Sequence, residues 1–208
     1  MRSMLKINSF LFLLAVGLIP LAASADCFIT GHSTAELNTE YPELGTWKYT
    51  LELSWDSGDS HGLSHIDLLL GFAGHSCECD EFAFGFAEPA GLSNGWGEDD
   101  RDDDEEPCDV YYEGEFECHG DPSLPNVEEP IIKFEPDGDD CEPGPIGSGV
   151  FVFYSNWEPE AVDTPNEWLV FKAAGNKCSG PLSGDLPVLG CETVAATPAS
   201  WSNLKTLY

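Results

Sequence analysis

Basic side chains are scarce in this chain: 8 Lys+Arg stand against 38 Asp+Glu in 208 residues, a formal net charge of −30. Recognition of a phosphate backbone needs a basic surface, so no nucleic-acid partner is expected. The same deficit argues against docking on anionic lipid. Cations, glycans and surface proteins remain as candidate partners. Long apolar runs are also missing after residue 25, so no later segment is apolar enough to span a bilayer. Helical periodicity is missing outside the N-terminal segment, which leaves strands without the crossover helices that parallel pairing requires. Histidine stops at His119, so no imidazole base follows that position.

What is present argues for a folded body. The chain is 42% hydrophobic and 12% aromatic, too much for a wholly disordered acidic polymer. Residues 1–25 have the three parts of a secretory signal peptide. Arg2 and Lys6 give a positive start, Phe10 to Leu21 an apolar run, and Ala23-Ser24-Ala25 a small-x-small site. The run is shorter than the ~20 residues a membrane helix needs. Asp26 stands before Cys27 where a lipobox needs a small residue, which argues against lipidation. The expected organisation is a signal peptide at 1–25, one domain at 26–196 with an acidic loop at 97–107, and a C-terminal tail at 197–208.

All eight cysteines follow the signal: Cys27, Cys77, Cys79, Cys108, Cys118, Cys141, Cys178 and Cys191. An even number in an exported chain points to disulfides, with roughly a hundred pairings open. Val110 to Glu117 alternates like a strand. At ~3.3 Å per residue Cys108 and Cys118 would then stand about 33 Å apart, too far to bond. Cys118–Cys141, flanking a hairpin, and Cys178–Cys191, bracketing a Gly/Pro loop, are the expected pairs. The rival is a zinc or copper site built on His75-Ser76-Cys77-Glu78-Cys79 with His61 and His65, although C-x-C and a single H-x₃-H fit zinc spacings poorly.

The clearest element runs from Trp47 to Trp55, where Trp47, Tyr49, Leu51, Leu53 and Trp55 alternate with polar residues. Such a pattern is a half-buried strand. A Gly-containing loop and a second run, Ser64 to Leu70, complete what reads as a hairpin. Phe82, Phe84 and Phe86 alternate next. Further strands are expected at Val110–Glu117, Ile131–Glu135, Gly149–Tyr154 and Glu167–Ala173. Turn residues fill nearly every gap. These signals predict an all-β, disulfide-stapled antiparallel sandwich, Ig-like or jelly-roll-like, of about 7–9 strands. Between residues 98 and 106 only Arg101 is not acidic, and like charges this dense favour an extended, solvated loop.

Calcium is the first chemical candidate, since hard cations prefer carboxylate oxygens. Asp100, Asp102 and Asp104 have the opening spacing of an EF-hand, but Glu105 stands where Gly is needed and Tyr111 where Glu is needed. Irregular loop sites remain, drawn from those three, from Asp137, Asp139 and Asp140, or from Asp56 and Asp59. No other cofactor is indicated. Gly91-Leu92-Ser93-Asn94-Gly95 matches G-x-S-x-G, but that motif needs a strand-to-helix elbow and no helix follows. Gly58-Asp59-Ser60 resembles an esterase nucleophile block without its C-terminal histidine. Glu113 and Glu115 could serve a glycoside hydrolase, which needs two carboxylates at a set separation. A glutamate ladder is more often the wet face of a strand. Among the six Trp, Trp47, Trp55 and Trp168 sit in strand patterns, whereas Trp96 and Trp157 lie beside loop signals and are the candidates for stacking on a sugar ring.

Two stretches carry a resemblance. Gly62-Leu63-Ser64-His65-Ile66 resembles an "LSH" hairpin of uncharacterised exported bacterial β-domains. Thr197-Pro198-Ala199-Ser200-Trp201-Ser202-Asn203-Leu204-Lys205-Thr206-Leu207-Tyr208 resembles the TxW-x-x-[IVL]-K-x-L-Y tail of exported bacterial surface proteins, with Ser202 in place of the usual Gly and Tyr208 in place of a final basic residue. The resemblance implies a bacterial secreted or cell-surface protein and no active site. The expected function is therefore noncatalytic, with calcium binding as one candidate activity. The alternatives are a carbohydrate-binding module and a glycosidase-like jelly roll.

Overall fold

The computed structural model describes residues 27–58, 61–70, 83–98, 105–124, 127, 129–138, 141–162, 167–173 and 176–187. The signal segment, the tail, and Cys77, Cys79 and Cys191 lie outside them. Twelve strands are formed: β1 (Phe28–Leu37), β2 (Trp47–Asp56), β3 (His65–Leu69), β4 (Phe84–Gly85), β5 (Gly91–Glu98), β6 (Glu105–Glu117), β7 (Ile131–Pro136), β8 (Cys141–Pro143), β9 (Ile146–Ser155), β10 (Pro159–Val162), β11 (Glu167–Ala173) and β12 (Asn176–Pro187). No helix occurs among the described residues.

The sheet is a closed barrel, which corrects the sandwich expectation. Its order is β9-β2-β1-β12-β11-β3-β7-β6-β5, and β5 returns to β9 through Gly91↔Phe151, Leu92↔Val150 and Ser93↔Gly149. Nine strands therefore form the ring. β4 extends β9, β8 extends β5, and β10 pairs with β12. All pairs are antiparallel except β1 with β12. The predicted β2–β3 hairpin does not form: β2 pairs with β1 and β9, β3 with β11 and β7. Alternation specifies which side chains turn inward, and it is identical for a sandwich and a barrel.

The inward side chains fill the ring. Tyr49, Leu51, Leu53 and Trp55 of β2 meet Phe151 and Phe153 of β9, Phe134 of β7, Tyr112 of β6 and Phe171 of β11 in one core. Tyr49 stacks on Phe153 at 4.8 Å between centroids, and Tyr112 meets Phe151 edge-on at 4.9 Å. The polar tips of Trp55, Tyr49 and Tyr112 each find a partner. Trp55 Nε1–H donates to the Gly144 carbonyl, Tyr49 O–H to the Trp157 carbonyl, and the Tyr112 hydroxyl shares a 2.9 Å hydrogen bond with Ser93 Oγ. Fully burying an aromatic of this size contributes on the order of 2–3 kcal/mol, and leaving its polar atom unpaired would cancel much of that.

Two disulfides brace the ring, and both correct the expected pairings. Cys27 bonds Cys178, not Cys191, at a sequence separation of 151. It ties the entry to β1 onto its parallel neighbour β12. Cys108 bonds Cys141, which takes Cys141 away from Cys118. Cys118 is disulfide-bonded as well. Cys108 and Cys141 both oppose β5, at Gly95 and Gly97. A Cβ on Gly95 would collide with Val110 and come within 2.9 Å of Cys141 Sγ, so the glycine is the space through which β6 and β8 are joined. The acidic stretch is shorter as a loop than expected, because Gly97 and Glu98 pair with Glu106 and Glu105 in a β5–β6 hairpin.

Two measurements check this reading. In the chain-entropy picture, loops of these lengths give roughly 5 and roughly 4 kcal/mol, so Cys27→Ser/Cys178→Ser is expected to lose more stability in denaturant unfolding than Cys108→Ser/Cys141→Ser. Burial also pushes the Tyr112 phenol up to about 12 from 10.0 and raises Tyr49 further. These phenols are neutral in the fold and ionise first in the unfolded chain. Their contribution is complete below pH 10 and is lost as pH rises towards 12. Ultraviolet titration is expected to show two tyrosines ionising only together with alkaline unfolding.

Candidate functional site

Two parts of the barrel wall bring functional side chains together, and they lie on opposite sides of the ring. The first is the outer face of β1, β2, β9, β5 and β6. Register aligns Thr30, Ser54 and Ser148 across β1, β2 and β9. Asn94 of β5, opposite Asp109 of β6, continues the row, and its Oδ1 accepts a hydrogen bond from Ser148 N–H at 3.1 Å. The row of short polar groups lies in an open groove of about 670 Å³ that also includes Leu92, Val150, His32 and Glu52. On one side of the row stand Phe28, Ile146 and Trp96, on the other Val150, Leu92 and Tyr111. These six large apolar side chains are 43–65% exposed. Elsewhere among the described residues only Leu37 falls in that range, with Tyr41 less exposed. Trp96 lies against Gly144, where a Cβ would come within 3.2 Å of the indole Cδ1.

The second part is the outer side of β3, between β11 and β7. Both faces of β3 are buried. Ile66, Leu68 and Leu70 belong to the barrel core, while His65, Asp67 and Leu69 turn outward beneath the described residues of the 118–130 segment. Leu124 and Val127 of that segment seal the space against Leu69, Ile131 and Val170. Asp121, from the same segment, brings its Oδ2 within 2.7 Å of His65 Nε2, and Asp67 Oδ2 lies 3.9 Å from that nitrogen. The His65–Asp121 contact is short but misaligned for a hydrogen bond. Both Asp67 oxygens have no hydrogen-bond partner, although the side chain is fully buried. The ligand atoms of His65, Asp67 and Asp121 all lie within 4.8 Å of one another.

Electrostatics follows from burial. Desolvation lowers the His65 pKa against the opposing pull of Asp121, so the imidazole is neutral at pH 7. Desolvation, reinforced by the Asp121 charge, pushes the Asp67 carboxyl up to about 8. At Asp121 burial opposes ionisation, but the Ser123 N–H and hydroxyl and His65 outweigh it and hold the group below its usual value. Ser123 N–H donates to Oδ1 at 2.6 Å and its hydroxyl to Oδ2 at 2.8 Å. Lys133 is the direct cross-strand neighbour of Asp67, yet its ammonium is taken up by Glu135, Glu117 and Glu115 at 3.2, 3.4 and 3.6 Å.

The other sequence candidates are dispersed. Asp59, Asp100, Asp102, Asp104, Asp139 and Asp140 lie outside the described residues. Asp56 ends β2, where its Oδ1 accepts the Gly58 N–H, and Asp137 is exposed after β7. Neither belongs to the converging cluster of His65, Asp67 and Asp121. Ser93 sits mid-strand in β5, buried and bonded to Tyr112, so Gly91–Gly95 is a strand and not a nucleophile elbow. Glu113 and Glu115 face outward, and Glu115 serves Lys133. Trp157 is half-buried, with its N–H on Ser155 Oγ and its carbonyl on Tyr49; Trp96 alone of the two lies exposed on a strand. His61 is exposed and outside the His65 cluster. Sequence reading passed over Asp67, although one carboxylate inside Ile66–Leu70 was a visible anomaly, and Asp121, which no local pattern links to β3. Comparison with known protein families, curated proteins and solved structures finds no match.

Replacing Lys133 with Met leaves three glutamates facing one another. Their partial exposure limits the cost to roughly 1–2 kcal/mol. Denaturant unfolding at low and high salt is expected to show that loss, reduced as salt screens the repulsion.

Proposed function

We propose that this chain is a secreted or cell-surface, noncatalytic carbohydrate-binding protein whose ligand lies across the outer face of β1, β2, β9, β5 and β6. The observation that carries this reading is the hydrogen-bonding row Thr30–Ser54–Ser148–Asn94–Asp109, flanked on both sides by exposed apolar and aromatic residues. A sugar chain has the matching chemistry, with hydroxyls at ring edges and apolar C–H faces that stack on flat aromatics. Protein interfaces gather their apolar residues at the centre, whereas here a polar strip runs down the middle. Few convergent polar groups in an apolar frame are the usual composition of a small-ligand site. The noncatalytic part rests on Ser93 being locked by Tyr112 and on the dispersion of the outward carboxylates. Export is supported by the disulfides, which persist in oxidising compartments.

The test is a glycan array with the mature, oxidised protein, followed by calorimetric titration of the best hit. Trp96→Ala is expected to weaken binding at least about tenfold, or 1.4 kcal/mol, with an unchanged melting temperature, because the side chain is 44% exposed. An array without hits, or a Trp96→Ala variant that binds equally well, overturns the assignment. Sedimentation of a stable dimer would make the face a self-interface.

A further inference from the structure

We infer that His65, Asp67 and Asp121 form a buried site for a single transition-metal dication of the Zn²⁺ class, held between β3 and the 118–130 segment. It lies on the opposite side of the ring from the proposed sugar face and does not depend on that reading.

The argument begins with the unmet requirement of Asp67. A fully buried carboxylate whose two oxygens have no partner is costly unless it is neutralised or coordinated. Lys133, the nearest cation by register, is held by three glutamates instead. The imidazole nearby brings His65 Nε2 within 2.7 Å of Asp121 Oδ2 and 3.9 Å of Asp67 Oδ2. A second carboxylate, Asp121, is oriented by the Ser123 N–H and hydroxyl. Such outer hydrogen bonds fix the ligands of metal sites. One imidazole nitrogen and two carboxylate oxygens suit Zn²⁺ chemistry, with a fourth position left for water. Tetrahedral bonds of about 2.05 Å separate ligand atoms by about 3.3 Å. The separations here run from 2.7 Å up to 4.8 Å, so small side-chain rotations bring all three into range. Calcium fits less well, because it needs six or more oxygens.

The placement also indicates what the ion does. His65 and Asp67 belong to the barrel wall and Asp121 to the segment that covers it, so the cation pins the cover to the sheet. It is a structural site: the covering cluster of Leu124, Val127, Leu69, Ile131 and Val170 excludes substrate.

The experiment uses the mature, disulfide-intact protein, stripped with chelator and titrated with Zn²⁺ by calorimetry and thermal melting. The expected result is one high-affinity equivalent and a raised melting temperature that Mg²⁺ at equal concentration does not reproduce. Co²⁺ substitution is expected to give ligand-field bands without thiolate-to-metal charge transfer, which separates this site from one on Cys77 and Cys79. Asp67→Asn keeps the shape and removes the charge. It is expected to fold at least as stably without metal and to lose affinity at least about tenfold. Absence of a stoichiometric Zn²⁺ equivalent in the wild type, an Asp67→Asn variant with undiminished affinity, or thiolate bands in the Co²⁺ form would each overturn the site.

Discussion

A twisted nine-stranded sheet presents two rows of unpaired N–H and C=O groups unless its edges meet. Here the edges meet at two places where the chain is least able to help itself. The β1–β12 pair joins strands at opposite ends of the described chain, and it is the one parallel contact in the ring. The β5–β9 contact involves only three residue pairs. Neither closure can be made by a tight turn, so each costs the loop entropy of a long intervening segment. The disulfides fall where that cost is greatest. Cys27–Cys178 crosses the parallel pair, and Cys108–Cys141 joins β6 and β8, which both pair with β5, beside the short contact. Ring closure and cysteine placement are thus one constraint, and the packed aromatic interior is what that closure makes possible.

The interior explains which parts of the fold were legible. β2, β6, β7, β9 and β11 announce themselves by alternation, because large inward residues sit between polar outward ones. β1, β5 and β12 do not, because several of their inward positions are small: Gly31, Ser33, Gly91, Ser93, Gly95 and Gly180. At Gly180 a Cβ would run into the backbone carbonyl of Ile29 across the parallel pair. The ring has a fixed internal volume, and the aromatics of β2 and β9 claim it, so facing strands must be glycine-rich. A pattern read one strand at a time loses those strands. Without them the closing pairs β1–β12 and β5–β9 are lost and the sheet looks open, which is how a barrel reads as a sandwich.

The sites show the same division between local and distant information. His65 drew notice through its spacing to His61, but a strand sends residues two apart to the same side, so Asp67 was its true neighbour. Asp121 joins them only because β3 and the 118–130 segment meet at β7, a fact of topology that no spacing contains. On the other wall, Trp96 was legible as an exposed aromatic, but for the wrong reason. It is exposed because β5 turns it outward over Gly144, not because it lies in a loop. The polar row beside it is assembled from five strands and has no trace in any single one.

The acidity of the chain takes different forms on the two walls. On the open side, Asp109 and Glu52 stand among short neutral groups in an open groove, where water keeps the cost of their charge small. On the covered side, the 118–130 segment removes water from two carboxylates at once. Coulomb repulsion between them grows as the local dielectric falls, and both cannot remain ionised there unless a cation joins them. Surplus acid is harmless on an exposed barrel wall, and a cover over part of that wall turns the same composition into a demand for a counter-charge. The rest of the chain supplies few cations, and Lys133, the one beside Asp67 in register, is already taken by its glutamates. A deficit of basic residues, read first as an exclusion of partners, leaves the buried acidic pair two ways to shed its repulsion: a proton kept on Asp67 or a cation taken from outside the chain.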